Sequence, residues 1–393
     1  MKRLLSVLAA FVLAFTARAQ FAHTDTGVAA FARVSHVMDS FGLYQNMVSS
    51  YNYPVFGATW SVSSRPGEGG YYEKAFNYPS AGLGVSYARM GSLQFKGSSR
   101  LGDLFNVYGW LGFDWIRSGR FRMGPVLELG IACSPVAYDW KTNPDNKFIG
   151  AHVEADLGAG LEMELLLSQH FSLLADVHAT HHSNGMTKAP NWGINELAAG
   201  GGVRYYLTER TFVPGRTQPW PDTPEFGKGL HWNFYGSLAV HNCPVELDGV
   251  LAAGLAEKMN GRVPSRLRAQ SGVEMVWRYS PVWATGVGLE GGYVANNYRE
   301  TDLRLGLGED PKGYSSFQSG LSVLQEIWYR QLSLEVALGV YVFKKSGLSE
   351  DIPWNFQKVG IRYHWGHCFA GLHMRAHFFD RSYTLEWTVG YSL

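Results

Sequence analysis

The chain has 393 residues, and its 34 Lys and Arg nearly balance 33 Asp and Glu to leave a formal charge of +1, which excludes the basic footprint of a nucleic-acid-binding protein. Charged residues make up only 17%, aromatics reach 14%, and 46 positions are glycine. Beyond the first twenty residues no run approaches the roughly 18 apolar residues of a membrane helix, so the composition predicts an all-β, antiparallel transmembrane barrel, in which only every second residue must be apolar.

In chain order, Lys2 and Arg3 precede an apolar stretch from Leu4 to Phe15 and the small-x-small site Ala17-Arg18-Ala19. Residues 1–19 thus read as a cleavable signal peptide, with export to follow. No cysteine stands at the new terminus to carry a lipid. Cys133, Cys243 and Cys368 are odd in number and at no metal-ligand spacing, so no disulfide framework is expected.

Alternating segments then predict eight strands near residues 28–36, 54–62, 81–91, 101–115, 121–133, 149–166, 170–183 and 193–207. These form one half, residues 20–208. Pro214, Pro219, Pro221 and Pro224 interrupt pairing in a linker or loop over 209–228. Residues 229–393 accommodate about eight more strands as a loose, degenerate repeat, with Val203-Arg204-Tyr205-Tyr206-Leu207 echoed by Val389-Gly390-Tyr391-Ser392-Leu393. One large barrel and two tandem eight-stranded units both satisfy this count. On the last strand Tyr383, Leu385, Trp387, Val389, Tyr391 and Leu393 make a lipid-facing row, and Thr384, Glu386, Thr388, Gly390 and Ser392 the inward one.

The candidate chemistry stands on the strand from residue 170. Phe171, Leu173, Ala175, Val177 and Ala179 form its outward row, which continues into His181 and Ser183. A base and a hydroxyl two residues apart on one face have Cβ atoms about 6.5–7 Å apart and can meet. At the edge of a lipid-facing row, such a pair suits a hydrolase whose substrate is a neighbouring lipid. A bare His-x-Ser is also what polar residues capping an apolar row at headgroup level look like.

The residues that follow add context. His181-His182-Ser183-Asn184-Gly185, then Pro190-Asn191-Trp192-Gly193, then a strand closing Gly202-Val203-Arg204-Tyr205-Tyr206-Leu207, resemble the lipid A 3-O-deacylase (PagL-type) family of outer-membrane esterases. The resemblance covers residues 25–208, with its motif residues in 181–207. It implies an eight-stranded barrel whose Ser183, activated by His181, cleaves the ester-linked acyl chain at the 3 position of lipid A, without metal or cofactor. Asn184, Gly185 and Asn191 carry over as oxyanion and substrate-binding residues. An oxyanion donor of this kind can contribute about 3 kcal/mol to the rate.

The sequence departs from the family at the third member of the triad, where an acidic residue is expected twelve positions after the serine and Asn195 stands instead. Strand parity puts Asn195 on the face of His181 and Ser183, with Leu197 and Ala199, and turns Glu196 inward. Asn195 therefore ranks first as the residue supporting His181, and Glu196 second, through a bulge at the strand end. An amide can hold an imidazole in its productive tautomer but cannot stabilise it as a cation.

Other clusters carry less. His364, His367, His373 and His377 lack accompanying carboxylates at ligand spacing and read as interior lining. Asp176 and His178 read as polar barrel filling. Arg117, Arg120 and Arg122 flank Ser118-Gly119 and read as a solvated turn. The sequence thus predicts an outer-membrane carboxylic ester hydrolase, lipid A deacylase or acyloxyacyl hydrolase-like, acting on lipopolysaccharide. The competing class is a non-catalytic barrel, a porin-like channel or structural protein.

Overall fold

The protein's structure, a computed structural model, describes residues 24–38, 51–93, 95, 97, 99–210, 212, 217–242, 251, 254, 256–257, 260–263, 265–294, 315–344, 354–377 and 381–393. The signal peptide read over 1–19, Pro214 and Cys243 lie outside the described residues. Two compact units divide the chain: Met1–Asn184 with Trp192–Thr223, and Gly185–Asn191 with Pro224–Leu393.

The first unit contains β1 (Thr24–Val37), β2 (Asn52–Ser64), β3 (Ser80–Ala88), β4 (Leu104–Gly112), β5 (Ile116–Ser118), β6 (Phe121–Cys133), β7 (Val153–Leu166), β8 (Phe171–Ser183) and β9 (Ile194–Tyr206). Neighbours pair antiparallel in the order β4-β3-β2-β1-β9-β8-β7-β6, and β4 pairs with β6, so eight strands close into a barrel. β5 is a short extra strand that hairpins onto β6 through Gly119 at φ +59°. The sequence pattern does not anticipate it, because three residues carry too little alternation to register.

In the second unit β10 (Gly229–His241), β11 (Arg266–Arg278), β12 (Trp283–Val294), β13 (Phe317–Tyr329), β14 (Leu332–Lys344), β15 (Asn355–Trp365), β16 (Cys368–His377) and β17 (Arg381–Ser392) close a second eight-stranded barrel, β17 pairing with β10. Of the two arrangements the strand count allowed, the chain adopts two tandem barrels.

Period-2 patterning decides what each wall shows. Along β8, Phe171, Leu173, Ala175, Val177 and Ala179 are exposed while Ser172, Leu174, Asp176 and His178 are buried. The exposed row is apolar, as a wall facing hydrocarbon requires. The buried row is polar and must be paired inside. Arg33 Nε meets Asp176 Oδ1 at 2.7 Å, Arg122 and Arg204 share Glu164, and the Tyr206 hydroxyl donates to Glu164 at 2.6 Å. Buried charges of this kind persist only when geometry and further hydrogen bonds offset their desolvation. Arg117 and Arg122 correct the sequence reading, since both are buried against Asp114 rather than solvated; Arg120 alone of the three is exposed. Register sets Arg122 opposite Glu164, and Arg117 meets Asp114 three residues earlier in the same turn.

The strands of the first barrel run so that residues 38–51, 89–103, 134–152 and 184–193 connect them at one end. The other end has the connection 65–79, with a short helix at Tyr71–Ala75, the turns 113–120 and 167–170, the start of β1 and the exit of β9. At the first end an apolar cluster of Val37, Ala88, Met90, Leu93, Leu104, Phe148, Ile149 and Ile194 packs the connections onto the strand ends. His181 and Ser183 lie at this packed, long-loop end.

Candidate active site

β8 and β9 meet in a register that sets His181 opposite Asn195 and Thr180 opposite Glu196. On the other side β7 places Leu157 opposite His181 and Ala155 opposite Ser183. Directly opposed residues of an antiparallel pair share a face with Cβ atoms about 4.5–5.5 Å apart, so the register itself brings the imidazole and the amide together. His181 Nδ1 lies 2.7 Å from Asn195 Oδ1. An amide oxygen can only accept, which puts the proton on Nδ1 and the lone pair on Nε2. That Nε2 is buried and has no hydrogen-bond partner among the described residues. Leaving such an acceptor unpaired costs on the order of 1–3 kcal/mol, and an orphan of this kind in a folded chain needs a reason. A base held ready for a hydroxyl supplies one.

Ser183 ends β8 on the same face. It is only 3% exposed, and Asn184 beside it 6%. The row that begins exposed at Phe171 therefore ends covered, instead of remaining open at the rim as alternation alone predicts. The opposite face holds Glu196, whose Oε1 lies 3.3 Å from His182 Nε2 and whose Oε2 accepts from Ser35 Oγ at 3.0 Å. Asp156 Oδ1 stands 3.6 Å from His182 Nδ1. The β8–β9 register runs from Phe171 opposite Tyr205 to His182 opposite Ile194 without a shift. Without a bulge Glu196 stays in the interior. The fold thus sets His181, Asn195 and Ser183 on one face and keeps Glu196 from it.

Gly193 packs against the candidate base, a contact that sequence reasoning missed although the residue stands in the motif. Its φ is +70°, and a Cβ there would lie 2.8 Å from His181 Cε1 and 2.9 Å from the His182 carbonyl oxygen. Only glycine permits both this backbone and the ring packed against it. The preceding loop holds the strand entry in place: Trp192 N–H donates to the Lys147 carbonyl at 3.1 Å and Gly193 N–H to the Phe148 carbonyl at 3.2 Å. The signal in the sequence was a glycine just before an apolar row, which marks an unusual φ but not what packs on it.

After β8 the chain turns at Gly185, φ +61°, and Met186, φ +60°. Residues Gly185–Asn191 group with the second unit. Within it Asn242 donates its N–H to the Met186 carbonyl at 2.6 Å and its Oδ1 accepts from Ala189 N–H at 2.9 Å. Asn191 is buried.

The other clusters resolve structurally. His178 is buried with Nδ1 3.6 Å from Glu128, alongside the Arg33–Asp176 pair, as barrel filling. His373 and His377 are buried, whereas His367 departs from the interior reading and sits in the exposed turn between β15 and β16. Glu274, Glu326 and Glu335 converge inside the second barrel. Arg362 meets Glu274 at 2.7 Å and Lys358 meets Glu335 at 3.1 Å, so the acids are countered by side-chain cations.

An apolar outer wall, a charge-paired interior and closed antiparallel strands define an outer-membrane β-barrel. The family model described as lipid A 3-O-deacylase (PagL) matches residues 46–204, and that described as acyloxyacyl hydrolase, C-terminal domain, matches residues 245–393. The first half of the chain belongs to the lipid A 3-O-deacylase family, and the second carries the C-terminal domain that accompanies it. The family supports a hydrolase acting on lipid A. No curated protein matches the sequence. Among solved structures, the Pseudomonas putida toluene transporter TodX aligns over 94% of this chain and 89% of its own at 8% identity, with a TM-score of 0.18. A mutant Rh. blastica porin aligns over 94% and 100% at 9% identity, with a TM-score of 0.16. Scores this low do not equate their architecture with this one.

Proposed function

We propose that the protein is a serine esterase of the outer membrane that removes an ester-linked acyl chain from lipid A, at the 3 position that the family description names. The observation that carries this reading is the His181–Asn195 contact at 2.7 Å on the outward face, with Nε2 unpartnered among the described residues, two residues from Ser183. Ser183 Oγ attacks the ester carbonyl while Nε2 takes its proton. The tetrahedral intermediate collapses as the protonated imidazole returns that proton to the departing sugar oxygen, leaving an acyl-serine. Water, deprotonated by Nε2, attacks the acyl-serine and releases the fatty acid with Ser183 restored. Asn184 is the donor proposed nearest the developing oxyanion, with Gly185 and Asn191 carried over from the family motif. Asn195 orients the imidazole as a neutral acceptor, in the place where a carboxylate would also stabilise its charge.

Signal-peptide export delivers the chain to the membrane in this reading, with the long-loop end outward, because barrels of this class carry their longer loops on the extracellular side. The outer-leaflet lipid then lies beside the wall that carries His181. The channel reading loses support from interiors filled with paired charges in both barrels. Mass spectrometry of lipid A from cells expressing the protein tests the proposal. The expected result is loss of one hydroxyacyl chain relative to a Ser183→Ala control. An unchanged spectrum in a membrane holding 3-O-acylated lipid A sinks it.

A further inference from the structure

Lys147 lies in the connection between β6 and β7, half-buried, and its Nζ stands 5.5 Å from the centre of the Trp192 ring. Among the described residues no carboxylate pairs with it. That sets it apart from the partly buried Arg33 and the buried Arg117 of the first barrel, which face acids. The lysine is also tied to the catalytic geometry by backbone. Its own carbonyl receives Trp192 N–H at 3.1 Å, and the next carbonyl receives the N–H of Gly193, the residue against which the His181 ring packs. An ammonium over an aromatic face retains most of its capacity for an anion, since the ring contributes only about 0.5–2 kcal/mol and accepts no hydrogen bond. Trp192, the platform under the ammonium, and Gly193, the seat of the imidazole, are consecutive residues, so the cation and the base are anchored side by side on one backbone segment.

We infer that Lys147, held on Trp192, is a substrate-binding residue for a phosphate monoester on the sugar that carries the scissile ester. This rests on the reading of His181 and Ser183 as the esterase centre, and it names the feature by which that centre distinguishes its lipid. Lipid A is a phosphorylated glycolipid. A cation fixed at one distance from the base selects the glycolipid whose phosphate and ester have matching separation, whereas a solvated surface lysine follows any anionic headgroup.

The test measures equilibrium binding by the full-length protein in a neutral detergent, in a Ser183→Ala background so that no turnover intervenes. The probes are lipid A and the same lipid A stripped of phosphate by phosphatase. The Ser183→Ala protein is expected to bind the phosphorylated form about tenfold more tightly, Lys147→Gln to erase that preference, and Lys147→Arg to keep most of it. A preference unchanged by Lys147→Gln overturns the inference. So does an equal weakening by Lys147→Gln of binding to phosphatidylglycerol micelles, which makes the lysine a general headgroup contact. Turnover is read separately on the wild-type serine. If lipid A binds with the expected preference but no acyl chain is released, the esterase reading fails while the phosphate site stands.

Discussion

Replacing Asn195 probes the polar contact at 2.7 Å that orients the proposed base. Asn195→Ala removes the acceptor 2.7 Å from His181 Nδ1. The direct loss is a neutral hydrogen bond, about 0.5–1.5 kcal/mol, and the freed ring can then take the wrong tautomer or rotate, which raises the total to about 1.5–3 kcal/mol. At 1.36 kcal/mol per tenfold this is a fall in rate of roughly 10- to 150-fold. Asn195→Asp keeps the acceptor and adds a charge against the imidazolium formed during attack. Such a pair at about 4 Å gains up to about 4 kcal/mol at an effective dielectric of 20, part of which is lost to desolvating the carboxylate. A rise of about tenfold is expected. Glu196→Gln, on the inward face with His182 and Ser35, is expected to change the rate by less than threefold. The assay is release of fatty acid from purified lipid A by detergent-solubilised protein, with folding checked by the heat-dependent electrophoretic mobility of the barrel. An Asn195→Ala protein within twofold of wild type, together with a Glu196→Gln protein that has lost activity, refutes the face assignment.

Ser183→Ala and His181→Ala are each expected to abolish deacylation seen by mass spectrometry without reducing membrane insertion, and the double variant to be no worse than either, because such groups act as a unit. Gly193→Ala places a methyl 2.8 Å from His181 Cε1 at a backbone angle of +70°, and kcat is expected to fall at least tenfold while the barrel still folds. Glu164→Ala strips the shared acid from Arg122 and Arg204 inside the first barrel, and urea unfolding is expected to show a loss of about 3–5 kcal/mol, the usual cost of leaving buried charge unpaired.

Strand alternation is local, and it made the wall of the barrel legible residue by residue. Phe171 to Ala179 outward, Asp176 and His178 inward, and Asn195 on the opposite parity to Glu196 follow from a side-chain period of two, which needs no knowledge of what the strands pair with. The eight strands of the first half were readable for the same reason. Closure was not: one sixteen-stranded and two eight-stranded barrels use the same alternation, and the pairings of β1 with β9 and of β10 with β17 join segments far apart in sequence. The burial of Ser183 is tertiary, because the row it continues says nothing of what covers its end. The fate of Arg122 was set by Glu164, brought opposite through register, and that of Arg117 by Asp114 of the same turn, which the folded turn buries with it. Gly193 against His181, and Lys147 over Trp192, are likewise visible only in three dimensions, since each depends on a loop crossing back to a strand end.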